Sequence, residues 1–98
     1  MKLSLKNKHA IVCGSTDGIG KASALLLAKQ GCEITLVARN QNKLNSTLSE
    51  LNKEHNQEHH SICTDFDDPS DLKNKITMHI ESLDKSVDIL VNNSGGPH

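Results

Sequence analysis

A glycine-rich stretch, residues 13–20, constrains this chain more than any other feature. It has the sequence Cys-Gly-Ser-Thr-Asp-Gly-Ile-Gly, and it lies between an apolar run, residues 10–13, and a segment of small and apolar residues, 22–28. Three glycines therefore stand where a buried strand is expected to turn into a helix. Such a turn presents backbone N–H groups at the positive end of the helix dipole. Because glycine has no side chain, the phosphate of a nucleotide can approach this backbone closely.

Two other interpretations of the glycine stretch are open at this point. A glycine-rich turn can be an ordinary tight turn that binds nothing. A P-loop ends in Gly-Lys-Ser or Gly-Lys-Thr, whereas this chain has Gly20-Lys21-Ala22, with alanine in place of the magnesium-binding hydroxyl. The P-loop interpretation is therefore disfavoured, and the rest of the chain decides between phosphate binding and a plain turn.

Apolar runs alternate with helical periodicities along the rest of the chain. Apolar runs predict buried strands at 8–13 and 87–91, a β-branched and apolar run predicts a strand at 33–38, and a third, shorter strand is predicted at 60–64. Helices are predicted after the glycine stretch, after Asn40 as a cap, and after Asp68-Pro69 as a cap and first turn. The apolar faces of the second and third helices are expected to be buried; they consist of Leu44, Leu48 and Leu51, and of Leu72, Ile76, Ile80 and Leu83.

This alternation predicts an α/β fold with a parallel sheet and right-handed crossovers. The expected architecture is a Rossmann-like, doubly wound sheet in three α/β/α layers, with strand order 3-2-1-4. The 98 residues suit a single domain, residues 1–98. Strand 4 would be an edge with an apolar face, which indicates that the four strands are part of a larger, incomplete sheet or that a second chain covers strand 4.

Composition excludes several classes of partner. The chain has 11 Lys and Arg against 12 Asp and Glu, without a basic block, so neither nucleic acid nor a membrane is an expected partner. The three widely spaced cysteines indicate buried free thiols in a cytoplasmic protein. His55 and His59 have a helical spacing, but no cysteine or carboxylate is placed to complete a metal shell, so no metal site is predicted.

Polar and glycine residues follow the predicted strands and should meet at one edge of the sheet. They are the stretch 14–20, Arg39, Asp65 and the segment 92–95. In dinucleotide-binding folds an acidic residue about 20 positions beyond the glycines binds the ribose hydroxyls, whereas an arginine there suits a 2′-phosphate. This chain has Ala38 and Arg39 at that place, so charge complementarity favours NADP over NAD.

These residues resemble the short-chain dehydrogenase/reductase family. The family's Thr-Gly-x-x-x-Gly-x-Gly motif is similar to residues 13–20, with Cys13 in place of threonine. Its Asn-Asn-Ala-Gly motif is similar to residues 92–95, with Ser94 in place of alanine. The resemblance extends from Lys6 to Pro97. It implies an NADP-dependent oxidoreductase that exchanges hydride with a small-molecule carbonyl or alcohol substrate, in a protein that is a homo-oligomer.

The resemblance also implies cofactor-binding roles for residues at the strand ends. The pyrophosphate and adenosine would be bordered by Gly14, Thr16, Gly18, Ile19 and Gly20. The 2′-phosphate would contact Ser15, Arg39 and Asn40. The adenine would lie against Asp65 and Phe66, and the adenosine ribose against Asn92, Ser94 and Gly95.

No catalytic residue can be assigned within the chain. The family's serine and its Tyr-x-x-x-Lys pair lie beyond the fourth strand, and this chain contains no tyrosine. The tyrosine donates the proton in the family's reaction. The chain is therefore expected to be the cofactor-binding half of an enzyme, truncated and inactive alone. The alternatives are a non-catalytic nucleotide-binding or interaction module and a purely structural domain; an in-frame Tyr-x-x-x-Lys motif beyond residue 98 would favour the enzyme.

Overall fold

Four parallel strands form the centre of the protein, in the order β3-β2-β1-β4. The structure is a computed structural model that describes residues 5–14, 16–64, 67–83 and 86–92. Strands and helices alternate as predicted: β1 (His9–Cys13), α1 (Gly18–Lys29), β2 (Glu33–Ala38), α2 (Gln41–Glu50), β3 (His60–Cys63), α3 (Pro69–Leu83) and β4 (Ile89–Asn92). The predicted Rossmann-like class and the strand order 3-2-1-4 are confirmed.

The two faces of the sheet bury separate apolar clusters. Side chains alternate between the faces of a strand, so neighbouring residues of β1 belong to different clusters. One face is covered by α1 and α2; its buried residues include Ala10, Val12, Ala24, Ala28, Ile34, Leu36 and Leu44. The other face is covered by α3; its buried residues are Ile11, Cys13, Val37 and Ile62. Burial on both sides explains why β1 and β2 have continuous apolar sequences.

The helix boundaries follow from local hydrogen bonds. Asn40 caps α2, since its Oδ1 accepts a hydrogen bond from the Lys43 backbone N–H at 3.0 Å. Asp68 does the same for α3, where Asp71 N–H donates to its Oδ1 at 3.1 Å. Gly31, after the end of α1, has φ of +101°, a conformation that favours glycine.

The last two elements are less buried than predicted. No residue of α3 is fully buried, although Leu72, Ile76 and Ile80 pack against the sheet. Strand β4 alternates between half-buried and exposed residues, and Leu90 is 65% exposed. The prediction of a fully buried fourth strand is therefore wrong for the described chain, where β4 pairs with β1 alone. In the part of the chain that the structure describes, no helix is long and apolar enough to cross a bilayer.

Three histidines and a threonine join α3 to the amino-terminal ends of the strands. Thr35 Oγ1 lies 2.8 Å from His9 Nε2 and 2.9 Å from His79 Nε2. The ring of His60 meets the ring of His79 edge-on, with 5.1 Å between centroids. Burial lowers the pKa of His79, and the neighbouring His60 and His9 lower it further. Neutral His79 is therefore the form that stabilises the packing of α3.

Acidification is expected to weaken this packing. The pKa of folded His79 is below the ordinary value of about 6.5, so between these two values the unfolded chain binds the proton and the folded chain does not. The stabilising contribution is complete above about pH 6.5 and decreases as the pH falls toward the folded pKa. Urea unfolding at about pH 7.5 and about pH 5.5 should show a smaller free energy of unfolding at the lower pH.

Two histidine variants test the assignment of this effect. His79→Gln should reduce the pH dependence of the free energy of unfolding, because the group with the lowered pKa is gone. His55 is exposed in the segment after α2, and His55→Gln should leave the pH dependence as it is in the parent protein. An equal pH dependence in the two variants would contradict the role of His79.

Candidate cofactor site

Parallel pairing brings three of the predicted site segments to one edge of the sheet. Cys13, the last residue of β1, is in register with Val37 of β2 and Asn92 of β4. The N–H of Gly14 then donates to the carbonyl oxygen of Val37 at 2.8 Å, which ties the glycine stretch to the end of β2. The glycine stretch, Arg39 and Asn92 are therefore at the carboxyl ends of adjacent strands, where β2 and β4 lie on opposite sides of β1. Ligands of doubly wound sheets bind at this switch point.

The glycine stretch has the backbone that close approach of an anion requires. Gly14 and Gly18 have φ of 69° and 58°, in the left-handed region that favours glycine. A Cβ atom added to Gly18 would have no protein atom within 4 Å, so the space beside it is open. Gly20 is buried in the first turn of α1, whereas Ile19 is 75% exposed and Thr16 is half-buried. These residues fit a bound phosphate, since they combine open space with a helix N-terminus.

Arg39 and Asn40 occupy the corner between β2 and α2. The Arg39 side chain is exposed, and no carboxylate within the described ranges forms an ion pair with it. Asn40 is committed to capping α2 through its side-chain oxygen. An exposed guanidinium at this corner can bind a doubly ionised phosphate through paired hydrogen bonds.

An ion pair that the sequence analysis did not identify lies beside this corner. Lys43 Nζ is 3.3 Å from Asp17 Oδ2, and the contact joins the glycine stretch to the first turn of α2. The only available signal was that Asp17 is a charged residue inside the glycine motif. Its partner could not be identified, because the two residues are 26 positions apart.

The end of β3 is held in place by hydrogen bonds to α3. The Thr64 hydroxyl donates to Asp71 Oδ2 at 2.8 Å, and its backbone N–H donates to the Ala38 carbonyl at 2.9 Å. Lys75 Nζ contacts the same carboxylate at 3.2 Å and donates to the Cys63 carbonyl at 2.9 Å. The hydrogen bond from Thr64 and then that from Lys75 lower the pKa of Asp71. These contacts fix the carboxyl end of β3 against α3.

Several predicted site residues lie outside the described residues, so their roles stay predictions. They are Ser15, Asp65, Phe66, Ser94 and Gly95. Described residues lie just before them: Gly14 directly precedes Ser15, Thr64 directly precedes Asp65, and Asn92 is two positions before Ser94. All three are at the carboxyl ends of strands, which is where the sequence analysis located the site.

The described thiols and histidines have structural surroundings and are not grouped as metal ligands. All three cysteines are free, and burial raises the pKa of Cys13 and raises that of Cys32 to about 11. Cys63 is half-buried, so its predicted full burial is wrong. Among the described residues no group of three or more histidine, cysteine or acidic side chains could hold a metal ion. His59 instead accepts a hydrogen bond from Ile34 N–H at 3.0 Å, which is a structural role.

A cleft of about 610 Å³ lies at the opposite edge of the sheet. Lys6, His9, Glu33, His55 and Asp88 are among its lining residues. It lies at the amino-terminal ends of the strands, whereas α1 and α2 both begin at the other edge. Because helix N-termini are the natural anion sites, this cleft is a weaker candidate for a nucleotide.

An open parallel sheet with this strand order and a glycine-rich strand-to-helix turn at its switch point defines the class of Rossmann-type nucleotide-binding folds. Residues 8–98 match the family model described as short chain dehydrogenase. The chain therefore belongs to the short-chain dehydrogenase/reductase family, whose members are oxidoreductases that bind NAD or NADP.

Relatives of known name support this membership. The chain is 38% identical over 86 residues to a very-long-chain 3-oxoacyl-CoA reductase of Anas platyrhynchos, and 42% identical over 86 residues to the enzyme of that name in Mus musculus. Each match covers 88% of this chain and 27% of the relative, so the chain spans about a quarter of the length of these relatives. A solved structure, L-sorbose reductase from Gluconobacter frateurii complexed with NADPH and L-sorbose, is 31% identical with a TM-score of 0.88; the match covers 100% of this chain and 37% of that one.

Two of the three described glycines with positive φ, Gly18 and Gly31, provide a matched test of the site. Gly18→Ala should weaken dinucleotide binding about tenfold or more, because the new methyl group occupies open space beside the helix N-terminus; its strain should lower stability by about 1 kcal/mol. In Gly31→Ala the new Cβ would lie 3.1 Å from Lys6 Cγ and 3.2 Å from Lys6 N, away from the site. This variant should be the less stable of the two, and its affinity should not change.

Binding titrations and urea unfolding of both variants measure these effects separately. If Gly18→Ala binds dinucleotide as tightly as the parent protein does, the glycine stretch is an ordinary turn and the phosphate assignment is wrong.

Proposed function

We propose that the protein is an NADP-dependent oxidoreductase that reduces a carbonyl group or oxidises the corresponding alcohol, and that the present chain supplies its cofactor-binding part. The observation that carries the cofactor choice is Arg39, an exposed cation at the end of β2 in the place where NAD-binding folds have an acidic residue. Because the chain spans about a quarter of the length of the relatives above, the reaction is proposed for the whole protein.

Charge at the end of β2 supports NADP. A carboxylate there would accept hydrogen bonds from the adenosine ribose hydroxyls and would repel a 2′-phosphate. Arg39 reverses both effects, since its guanidinium offers several donors and a positive charge to a phosphate. The NADPH bound to the L-sorbose reductase of Gluconobacter frateurii, which has the same fold, is consistent with this choice.

In this proposal, residues at the ends of three strands share the contacts with the cofactor. The glycine stretch and the N-terminus of α1 would hold the pyrophosphate, Arg39 and Asn40 the 2′-phosphate, and Asn92 the adenosine ribose. When bound, the cofactor supplies or accepts the hydride of the reaction. The chain has no tyrosine, so proton transfer at the substrate oxygen is not assigned to any of its residues, and the proposal includes that the 98 residues alone are inactive.

Similarity to relatives that are named for their substrates supports a thioester substrate for the whole protein. The two curated relatives, at 38% and 42% identity, are named as 3-oxoacyl-CoA reductases, whereas the sugar reductase is 31% identical. We therefore propose a 3-oxoacyl thioester as the substrate class. A cytoplasmic location and a homo-oligomeric assembly stay predictions from the sequence.

Replacement of Arg39 tests the proposed cofactor. The protein should bind NADPH more tightly than NADH, and Arg39→Ala should remove most of this preference by weakening NADPH binding about tenfold to a hundredfold, the range for loss of a charge-assisted hydrogen bond. Binding of NADH should change little, because NADH has no 2′-phosphate. Fluorescence titration of both cofactors measures the two affinities.

Lys29→Ala is the matched control, since Lys29 is an exposed cation in the last turn of α1, far from the N-terminal end of that helix. It should leave the ratio of the two affinities unchanged. Equal affinities of the parent protein for NADPH and NADH would show that Arg39 does not select NADP.

A further inference from the structure

We propose that Lys43 is a second cation for the 2′-phosphate of NADP. Asp17 competes with that phosphate for the Lys43 ammonium group, so their ion pair affects the preference of the protein for NADP over NAD. This inference rests on the NADP binding proposed above. It assigns roles to two residues that neither the glycine motif nor the position of Arg39 would identify.

The position of the ion pair is the first observation. Asp17 immediately precedes α1, and Lys43 lies in the first turn of α2. Lys43 Nζ is 3.3 Å from Asp17 Oδ2, so the contact connects the N-terminal ends of the two helices that follow β1 and β2. The pyrophosphate is assigned to the first of these helix ends and the 2′-phosphate to the second. The ion pair therefore spans the part of the site that the adenosine half of the cofactor would cross.

Asp17 is in a capping position but does not cap. Aspartate is among the preferred N-cap residues because its carboxylate accepts a hydrogen bond from an N–H group of the first turn. Asp17 has the extended backbone of an N-cap, with φ of −142° and ψ of 157°, yet its side chain makes no capping hydrogen bond to α1. Its carboxylate contacts Lys43 instead. The contact thus keeps a competing anion away from the helix N-terminus that is assigned to the pyrophosphate.

Lys43 has a hydrogen-bonded backbone and an exposed charge. Its N–H donates to Asn40 Oδ1 at 3.0 Å, which anchors the residue next to Arg39. The side chains of Lys43 and Asp17 are 56% and 77% exposed, and exposed ion pairs of this kind contribute little stability. A phosphate with about two negative charges can therefore compete with the single charge of Asp17 for the ammonium group. Lys21, the other lysine near the motif, is paired with Glu50 at 2.9 Å.

Removal of the Lys43 charge and removal of the Asp17 charge should have opposite effects on ligand affinity. This difference distinguishes the proposal from a purely structural contact. If Lys43 binds the 2′-phosphate, then its loss weakens only ligands that carry that phosphate. Loss of the Asp17 charge removes both a competitor for Lys43 and a repulsive charge, so the same ligands bind more tightly. A contact that only held α1 and α2 together would give losses in both variants, for ligands with and without the phosphate.

The test compares 2′,5′-ADP with 5′-AMP, which share the adenosine and differ in the 2′-phosphate. Isothermal titration of the purified protein at low salt should show that Lys43→Met weakens 2′,5′-ADP about threefold to tenfold and 5′-AMP less than about twofold. Asp17→Asn should strengthen 2′,5′-ADP about threefold, and Lys43→Arg should retain the parent affinity. Lys53→Met, which removes an exposed lysine in the segment after α2, should change neither affinity.

The proposal is overturned if Lys43→Met weakens both ligands equally or neither, or if Asp17→Asn weakens 2′,5′-ADP. Arg39→Ala in the same titration distinguishes failure of the Lys43 proposal from failure of the proposed NADP binding. If the preference for 2′,5′-ADP depends on Arg39 but not on Lys43, this inference fails and the proposed NADP binding stands. If the parent protein shows no preference for 2′,5′-ADP, the proposed cofactor choice itself fails.

Discussion

Parallel pairing of β1 with β2 on one side and β4 on the other is the constraint on which the rest of the structure depends. It buries β1 on both faces, so its sequence is apolar from Ala10 to Cys13. The chain must cross over the sheet in opposite directions to reach β2 and β4, which places α1 and α2 on one face and α3 on the other. The glycine stretch follows β1 at the switch point of the sheet, between the carboxyl ends of β2 and β4.

Features that depend on local sequence were predictable, and features that depend on neighbouring elements were not. The predicted strand at 33–38 coincides with β2, and Asn40 and Asp68 cap their helices, because apolar runs and capping side chains act over a few residues. The burial of β4 and α3 was overestimated. Apolar residues such as Leu90 indicate that a face can be buried, but burial also requires an element that covers it, and a sequence pattern does not show one.

In the candidate site, too, features that depend on local sequence were predictable, and contacts between elements were not. Gly14 and Gly18 were identifiable because a left-handed backbone almost requires glycine, and Arg39 because it directly follows a strand. The contact of Asp17 with Lys43 was not predictable, since it depends on how two helices are placed relative to each other on one face of the sheet. An aspartate before a helix predicts a cap, and the structure shows that another charge can redirect such a side chain.

Residues at the amino-terminal edge of the sheet stabilise the fold, whereas residues at the carboxyl edge are available for binding. At the amino-terminal edge, the Thr35 hydroxyl lies within hydrogen-bond distance of His9 Nε2 and His79 Nε2 under α3, so these polar atoms are paired within the protein. At the carboxyl edge, Arg39, Lys43 and Asp17 are exposed and weakly held, which leaves them available to a ligand. From His9 to Cys13 the two edges are about 13 Å apart, longer than the Debye length at physiological salt. Protonation of His79 therefore changes the stability of the fold, while Arg39, Lys43 and Asp17 at the other edge keep their charges.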